Sequence, residues 1–467
     1  MVRCSYRLTP AAVNVNCYHN TVPRFYIENF GCRATQADGA AIERQFEQQG
    51  FSPSESNDAD VAVLNTCTVT ASADQGARAA IRRIHRQNPG CKIVVTGCYA
   101  QRAPEELAAL PGVTSVIGNS HKQQVAAVAA QRLAASSSNF VPVQSLQSEN
   151  RILVADIFAH TELLAAPVFE ASDHASRTRP NLKIQDGCNN RCSFCVIPFV
   201  RGQSRSLHPD EVLREVEALE RAGYREIVLS GINLGRWGRD FERPSRFEDL
   251  LQLVLERTSI DKIRISSVEP MDWTGVLIQL VANSPRIAKH AHLPLQSGSD
   301  RILRRMHRKY RPWHYRDKIL KIRSLMADAG IGADVMVGFP GEDEAAFEET
   351  RGFIEQLPFT YLHVFTYSSR PGTPSAAMED QVPVRISRER NRVLRDLAAK
   401  KNRDFRRQFI GRSLRAITLS ERNGGFTEAL TDNYIKLRIR GLHPANQWRS
   451  VAIEKLNDQG LEGQICS

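Results

Sequence analysis

The residues best suited to chemistry are cysteines, and three of them, Cys188, Cys192 and Cys195, share the stretch KIQDGCNNRCSFCVIPFVRG from Lys183 to Gly202. This CxxxCxxC run sits on a loop directly after a short apolar strand candidate, Leu182 to Ile184. Three thiolates so close can converge on one soft metal centre. A [4Fe-4S] cube needs four ligands, so three cysteines would leave one iron open, and chemistry can happen there. The alternatives are a zinc site or three reduced thiols. Zinc wants a fourth protein ligand nearby, and the next histidine, His208, lies well past the cysteines.

Another trio is scattered through the first part of the chain. Cys32, Cys67 and Cys98 each close a strand candidate, in RFYIENFGC, DVAVLNTC and KIVVTGC, with VTSVIG as a fourth strand. Between the strands the pattern predicts helices over Asp38 to Gln49, Ala71 to Arg86 and Pro104 to Leu110. Strands alternating with helices imply a parallel sheet. Its strands all end on one edge, so residues distant in sequence meet there, where open α/β sheets place their ligands. Gly31, Thr66 and Gly97 precede the three cysteines and would let the backbone come close to a bulky group. Three buried structural thiols are the alternative, because free cysteine is among the most buried residue types. Cys91 is read as core.

The loop of the CxxxCxxC run opens a second α/β series. Strand candidates are Leu182 to Ile184, Glu226 to Ser230, Ile263 to Ser267, His290 to Leu293, Ala333 to Gly338 and Leu362 to Thr366. Helix candidates are Pro209 to Ala222, Phe247 to Arg257, Trp273 to Ala282, Pro312 to Ala329 and Glu344 to Gln356, with Gly223 and Gly330 read as residues just past helix ends. Six βα units close most of a barrel and put active groups on the loops at the strand carboxyl ends. Polar text stands at those ends: SGINLG, SSVEP, HLPLQSGSD, DVMVGFPGE and FTYSSRPGT.

The chain has 467 residues, enough for about three domains of ~150 residues. Its net charge of +11 suits a polyanionic partner. Ten cysteines are too sparse for a disulfide scaffold, and metal-binding thiols must stay reduced, so the expected compartment is the cytosol. The start carries no continuous apolar region, so no secretory signal is expected there, and no run of about 18 apolar residues predicts a membrane span. Residues 1–23, with Cys4 and Cys17, are expected to be a poorly ordered extension, and 136–173 a linker. Arg385 to Arg407 carries ten Lys or Arg against three acids, and residues 301–323 carry ten against Asp317 alone, with Tyr310, Trp313 and Tyr315 between them. Both stretches fit phosphate contacts and base stacking, or else a solvated helix face. Beyond Gly411, five short alternating runs predict a small barrel of oligonucleotide-binding size.

Taken together, FGCRATQAD, NTCTVT, TGCYAQRAPEEL and DGCNNRCSFCVIPFVRG resemble the motifs of the methylthiotransferase family of radical S-adenosylmethionine (SAM) enzymes, over nearly the whole chain from Arg24 onward. Within it, KIQDGCNNRCSFC, RRMHRKY and LTDNYIKLR look most like the branch acting on N6-threonylcarbamoyladenosine at position 37 of tRNA. The resemblance implies an α/β architecture in three parts. Residues 24–135 would be the N-terminal parallel-sheet domain, with Cys32, Cys67 and Cys98 on an auxiliary [4Fe-4S] cluster. Residues 174–407 would be a partial (β/α)6 radical SAM barrel, with Cys188, Cys192 and Cys195 on the second cluster, and residues 408–467 an OB-like TRAM domain that binds RNA. One departure is visible: Thr35 stands where the family usually has Asn.

The implied reaction installs a methylthio group at C2 of the adenine. No general base here could deprotonate that carbon, so a radical is the sensible route. One SAM would supply the methyl group and a second the radical. Asn233, Glu269, Gln296 and Arg370, on the strand-end loops, are the candidates for SAM or barrel-mouth contacts. Other substrates of the same chemistry are N6-isopentenyladenosine 37 and a ribosomal-protein aspartate. A different class is a non-enzymatic iron–sulfur protein that binds RNA.

Overall fold

The computed structural model describes residues 22–137, 151–159 and 178–466. Most of the expected N-terminal extension and much of the expected linker lie outside the described residues, as do Cys4 and Cys17. Six parallel strands form the first sheet: β1 (Arg24–Asn29), β2 (Ser52–Pro53), β3 (Val61–Thr66), β4 (Lys92–Gly97), β5 (Val113–Ile117) and β6 (Ile152–Leu153), in the order β2-β1-β3-β4-β5-β6. Both faces are covered, which is why these strands read as near-continuous apolar runs. Phe25, Val61, Val63 and Val94 meet Ile42 and Phe46 of α1 (Arg33–Gln48) and Val125 of α5 (Val125–Ser137) on one face. Ala62, Leu64, Ile93 and Val95 meet Ile81 and Ile84 of α2 (Ala71–Gln87) and Leu107 of α4 (Pro104–Ala108) on the other, with α3 (Cys98–Arg102) between.

Two elements here differ from the expected pattern. The first helix starts at Arg33, five residues before the expected Asp38, with Cys32 in extended conformation at its N-cap. The helix α5 was not expected at all. Six of the thirteen residues of its sequence, VAAVAAQRLAASS, are alanine, a strong helix former too small to mark out an apolar face.

The second body is a partial barrel. Its strands are β7 (Asn181–Asp186), β8 (Arg205–Ser206), β9 (Glu226–Gly231), β10 (Lys262–Ile265), β11 (His290–His292), β12 (Gly330–Val337) and β13 (Tyr361–Thr366). They run in the orders β10-β9-β7-β8 and β11-β12-β13, all parallel except β8 against β7. Parallel bridges at Ile263–Ile287 and Ser267–His292 join the two groups, so six parallel strands follow one another. Around them pack α6 (Ile197–Arg201), α7 (Pro209–Arg221), α8 (Phe247–Arg257), α9 (Gly275–Asn283), α10 (Asp300–Arg305), α11 (Pro312–Leu325), α12 (Glu344–Gln356) and α13 (Val384–Arg407).

The chain ends in a closed barrel of β14 (Ser413–Asn423), β15 (Phe426–Thr431), β16 (Lys436–Arg440), β17 (Trp448–Asn457) and β18 (Gly460–Ile465), ordered β14-β15-β16-β18-β17. Phe405 and Phe409, at the end of α13 and just beyond it, fill its core together with Leu437, Ile439 and Val451. The barrel docks on the second body through backbone as well as side chains. Arg264 donates to Thr431 O (3.0 Å) and Asp432 O (3.1 Å), and Asn433 Nδ2 donates to Asp328 O (2.9 Å).

Tyr310 and Tyr315 are not stacking platforms. Both are fully buried, and their hydroxyls donate to Pro294 O, Leu295 O and Leu293 O, tying down the loop that leads to Gln296. Only Trp313 of the three aromatics is exposed. Gly330 likewise has another role than helix capping: it is the first residue of β12, and a Cβ there would stand 2.2 Å from Asn433 O. Gly330→Ala is therefore expected to destabilise the protein by about 1–3 kcal/mol, the usual range for overpacking. Thermal unfolding would show the loss, and limited proteolysis should release the C-terminal barrel first.

Candidate active site

β1, β3 and β4 are neighbours in the sheet, and a cysteine follows the carboxyl end of each. Cys32 caps α1, Cys67 directly follows β3 and Cys98 opens α3. The loops close tightly because two of them carry glycine at positive φ. A Cβ on Gly31 (φ +105°) would lie 2.6 Å from Cys67 Cβ and 2.8 Å from its Sγ, and one on Gly97 (φ +99°) would lie 2.3 Å from Thr66 O. Cys67 and Cys98 are buried and Cys32 is exposed. Thr35 Oγ1 is 3.6 Å from Cys32 Sγ, so this hydroxyl reaches the sulfur that precedes it by three residues. Asn119 Nδ2 (3.6 Å) and Arg201 Nε (3.3 Å) donate to Cys98 Sγ.

The other trio lies on the loop after β7. Asn190 N–H (3.4 Å) and Asn233 Nδ2 (3.6 Å) donate to Cys188 Sγ, and Arg308 Nη1 donates to Cys192 Sγ at 3.3 Å. Arg308 is buried, held by an ion pair with Glu269 and by the ring of Tyr310, 4.9 Å away.

Both trios fit an iron–sulfur cluster better than a single ion. Among the described residues neither set brings its three sulfurs within 4.8 Å of one another, as one zinc with Zn–S bonds of about 2.3 Å would require. Each set has N–H donors aimed at sulfur, the contacts that thiolate ligands of a cluster take. Burial and Cys98 push the Cys67 thiol up to about 12, and burial and Cys192 do the same to Cys195. These sulfurs become thiolates only when a metal centre compensates their charge.

A buried ionic cluster joins the two trios. Arg201, on α6, donates through Nη1 to both oxygens of Asp186 (2.9 and 3.1 Å) and through Nη2 to Asp38 Oδ2 (2.9 Å), while its Nε holds Cys98. Lys122 adds a 2.7 Å bond to Asp38, and Lys183 bonds both Asp38 and Asp186. Asp186 precedes Cys188 by two residues, so one guanidinium touches the first trio and anchors the root of the second. Reading the sequence did not single out Arg201, Asp38, Lys183 or Arg308. A signal for two of them was present: Lys183 interrupts an apolar strand and Arg201 closes an apolar turn, two places where a charge needs a buried partner.

The four loop candidates separate. Asn233 and Glu269 lie at the second trio, one on Cys188 and the other on Arg308. Gln296 has positive φ (64°), and its buried Oε1, like Asn233 Oδ1, has no hydrogen-bond partner. Arg370 reaches the first sheet instead: Nη1 bonds Asp74 Oδ2 (2.7 Å) and Thr68 O (3.2 Å), next to Cys67.

Two family models match parts of the chain. Residues 24–118 match the Uncharacterized protein family UPF0004, and residues 182–354 match the Radical SAM superfamily. A protein of Aquifex aeolicus named threonylcarbamoyladenosine tRNA methylthiotransferase MtaB is 37% identical over 415 residues, covering 89% of this chain and 96% of its own length. The Bacillus subtilis protein of that name is 38% identical over 417 residues, 88% of this chain and 89% of its own.

The chain belongs to the radical SAM methylthiotransferase family.

It is an enzyme of that family, and the cysteine motifs that suggested the membership lie within or beside both matched regions. A Dictyoglomus thermophilum relative, named tRNA-2-methylthio-N(6)-dimethylallyladenosine synthase, is 34% identical over 78% of this chain and 79% of its own length. In fold, the methylthiotransferase chain is similar to the radical SAM methyltransferase TsrM of Kitasatospora setae, with a TM-score of 0.56 at 13% identity over 76% of this chain and 77% of that one. Among the described residues no helix is long and apolar enough to cross a membrane.

The ionic cluster has a measurable signature. Removing one partner leaves a buried charge uncompensated, so Asp38→Ala should cost about 3–5 kcal/mol, read from the urea midpoint. Burial acts to raise the Asp38 carboxyl, but Lys122, Lys183 and Arg201 overcome it and hold the group well below the ordinary carboxylate range. The stability this contributes is present above the unfolded value of about 3.9 and is lost as pH falls from there toward the folded one. Urea denaturation stepped downward from about pH 4 should therefore show a steeper acid loss in the wild type than in Asp38→Asn.

Proposed function

We propose that this enzyme transfers a methylthio group to C2 of N6-threonylcarbamoyladenosine at position 37 of tRNA. In this assignment Cys32, Cys67 and Cys98 hold an auxiliary [4Fe-4S] cluster, and Cys188, Cys192 and Cys195 hold a second one that binds SAM. When bound, these groups and two SAM molecules supply the radical and the methylthio unit. The chain's own residues hold, orient and shield them.

The observation that carries the proposal is the contact made by Arg201. Its side chain reaches Cys98 Sγ at 3.3 Å and Asp186 at 2.9 Å, so the two cysteine sets flank one buried charge cluster instead of facing away from each other. Transfer from one centre to a carbon activated at the other requires that neighbourhood. Arg308, drawn against Cys192 by Glu269, would steady the SAM-binding cluster, and Asn233 would do so at Cys188. The unpartnered Oε1 of Gln296 and Oδ1 of Asn233 are buried acceptors that suit the ammonium or ribose hydroxyls of SAM. Arg370 would lock the barrel's last loop against the auxiliary site.

For the nucleic acid, α13 presents Arg385, Arg388, Arg392 and Arg395 as exposed side chains at three- and four-residue spacing, one face of a helix. Arg390 on the same helix is buried against Glu342 (2.9 Å). The exposed row and the C-terminal barrel are assigned to the phosphate backbone of tRNA. The domain division that goes with this is 24–135, 174–407 and 408–467, and the compartment assigned is the cytoplasm. Relatives named for threonylcarbamoyladenosine at 37 and 38% identity support this substrate over dimethylallyladenosine.

Nucleoside analysis of tRNA from cells lacking the gene tests the substrate. Loss of the 2-methylthio form of threonylcarbamoyladenosine with retention of its precursor is expected; unchanged amounts would refute the assignment, and loss of the isopentenyl derivative would transfer it to that base. The two-cluster assignment is tested by replacing Cys32, Cys67 or Cys98 with Ala. Each variant should retain SAM cleavage to 5′-deoxyadenosine while methylthiolation is abolished and bound iron falls by about half from the reconstituted wild type.

A further inference from the structure

The inner face of the partial barrel carries polar residues that the cluster chemistry does not use. On β11, β12 and β13, Ala291, Ile331, Ala333, Val335 and Val364 pack outward among the helices. Side chains alternate along a strand, so His292, Asp334 and His363 stand on the opposite, inward side. Asp334 is directly across the ladder from His363, and His292 pairs with Gly332, two residues earlier, which makes it the diagonal neighbour of Asp334.

The three side chains converge. Asp334 Oδ1 lies 3.1 Å from His363 Nδ1 and 3.4 Å from His292 Nε2, and one ligand atom from each residue lies within 4.8 Å of the other two. His292 is 7% exposed, and its Nε2 faces Asp334 and no other hydrogen-bonding group. Its other nitrogen, Nδ1, is taken by the hydroxyl of Ser267. The ring is thus fixed by a partner behind it and turns its other nitrogen to the carboxylate, the arrangement in which an outer hydrogen bond orients a metal-binding imidazole.

We infer that His292, Asp334 and His363 bind a divalent transition-metal ion inside the barrel, through His292 Nε2, a carboxylate oxygen of Asp334 and a ring nitrogen of His363. Two imidazoles and one carboxylate suit first-row ions such as Zn²⁺, Fe²⁺ or Mn²⁺ and leave coordination positions open for an oxygen donor. The position is one layer below the loops of the second trio. Ser267 precedes Glu269 by two residues, and Gln296 N–H donates to Asp334 O at 2.8 Å. An ion there would offer its open positions to a carboxylate or carbonyl of a molecule in the barrel. This inference does not depend on which nucleoside is modified.

The competing account is a hydrogen-bonded His–Asp–His cluster with no ion, and metal binding tells the two apart. Enzyme with both clusters reconstituted and oxidised has its cysteines occupied and its clusters silent in electron paramagnetic resonance, so added Mn²⁺ can be counted directly as free or bound. The wild type should bind one equivalent per chain. His363→Gln, at an exposed position that does not threaten the fold, and Asp334→Asn should each weaken binding ~100-fold, and Ser267→Ala ~10-fold, with cluster iron unchanged. Absence of bound Mn²⁺ in the wild type, or equal binding by wild type and His363→Gln, overturns the site.

Discussion

Asp38, Lys122, Lys183, Asp186 and Arg201 form a charge cluster almost wholly out of water, and the arrangement of the molecule depends on it. Each buried ion costs several kcal/mol of lost hydration, offset only while its partners stay in good geometry. The partners come from both bodies: Asp38 from α1 and Lys122 from the turn before α5, Lys183 and Asp186 from β7, and Arg201 from α6. A small slide between the first sheet and the barrel would leave a carboxylate or guanidinium unpaired. The two bodies therefore meet in one register, and that register sets how Cys98 stands relative to the loop of Cys188.

Parallel strand order supplies the rest of the geometry. β1, β3 and β4 end side by side, which converts three cysteines far apart in the chain into one edge. The C-terminal barrel then closes on both bodies at once. Tyr434 accepts a bond from Arg33 Nη2 (2.9 Å), and its ring stacks on His290 at 4.3 Å. Arg33 follows Cys32, so the segment proposed to bind RNA touches the residue beside that cysteine. A substrate gripped by that barrel would need little travel to reach the interior.

Local features were legible in the sequence. CxxxCxxC spacing, a cysteine at the end of each apolar run and alternation every second residue in the last strands involve neighbours a few positions apart, and those predictions agree with the structure. Features with distant partners were not. Tyr310 and Tyr315 looked like stacking residues because basic residues surround them, yet their hydroxyls bond the backbone of Leu293, Pro294 and Leu295. Gly330 looked like a helix stop because it follows a helical pattern, and it is required by the approach of Asn433 from another part of the chain.

The sequence alone singled out the sulfurs proposed to bind iron and determined on which kind of element they stand and the class of enzyme, because residue type and strand or helix period are written in short stretches. The tertiary structure alone decided that Arg201 bridges the two cysteine sets, that Arg308 serves Cys192 and that His292, Asp334 and His363 converge. Apart from Arg201 with Asp186, these are contacts between residues 29 to 116 positions apart. Their energies depend on burial and mutual distance, and neither exists until the sheets have packed.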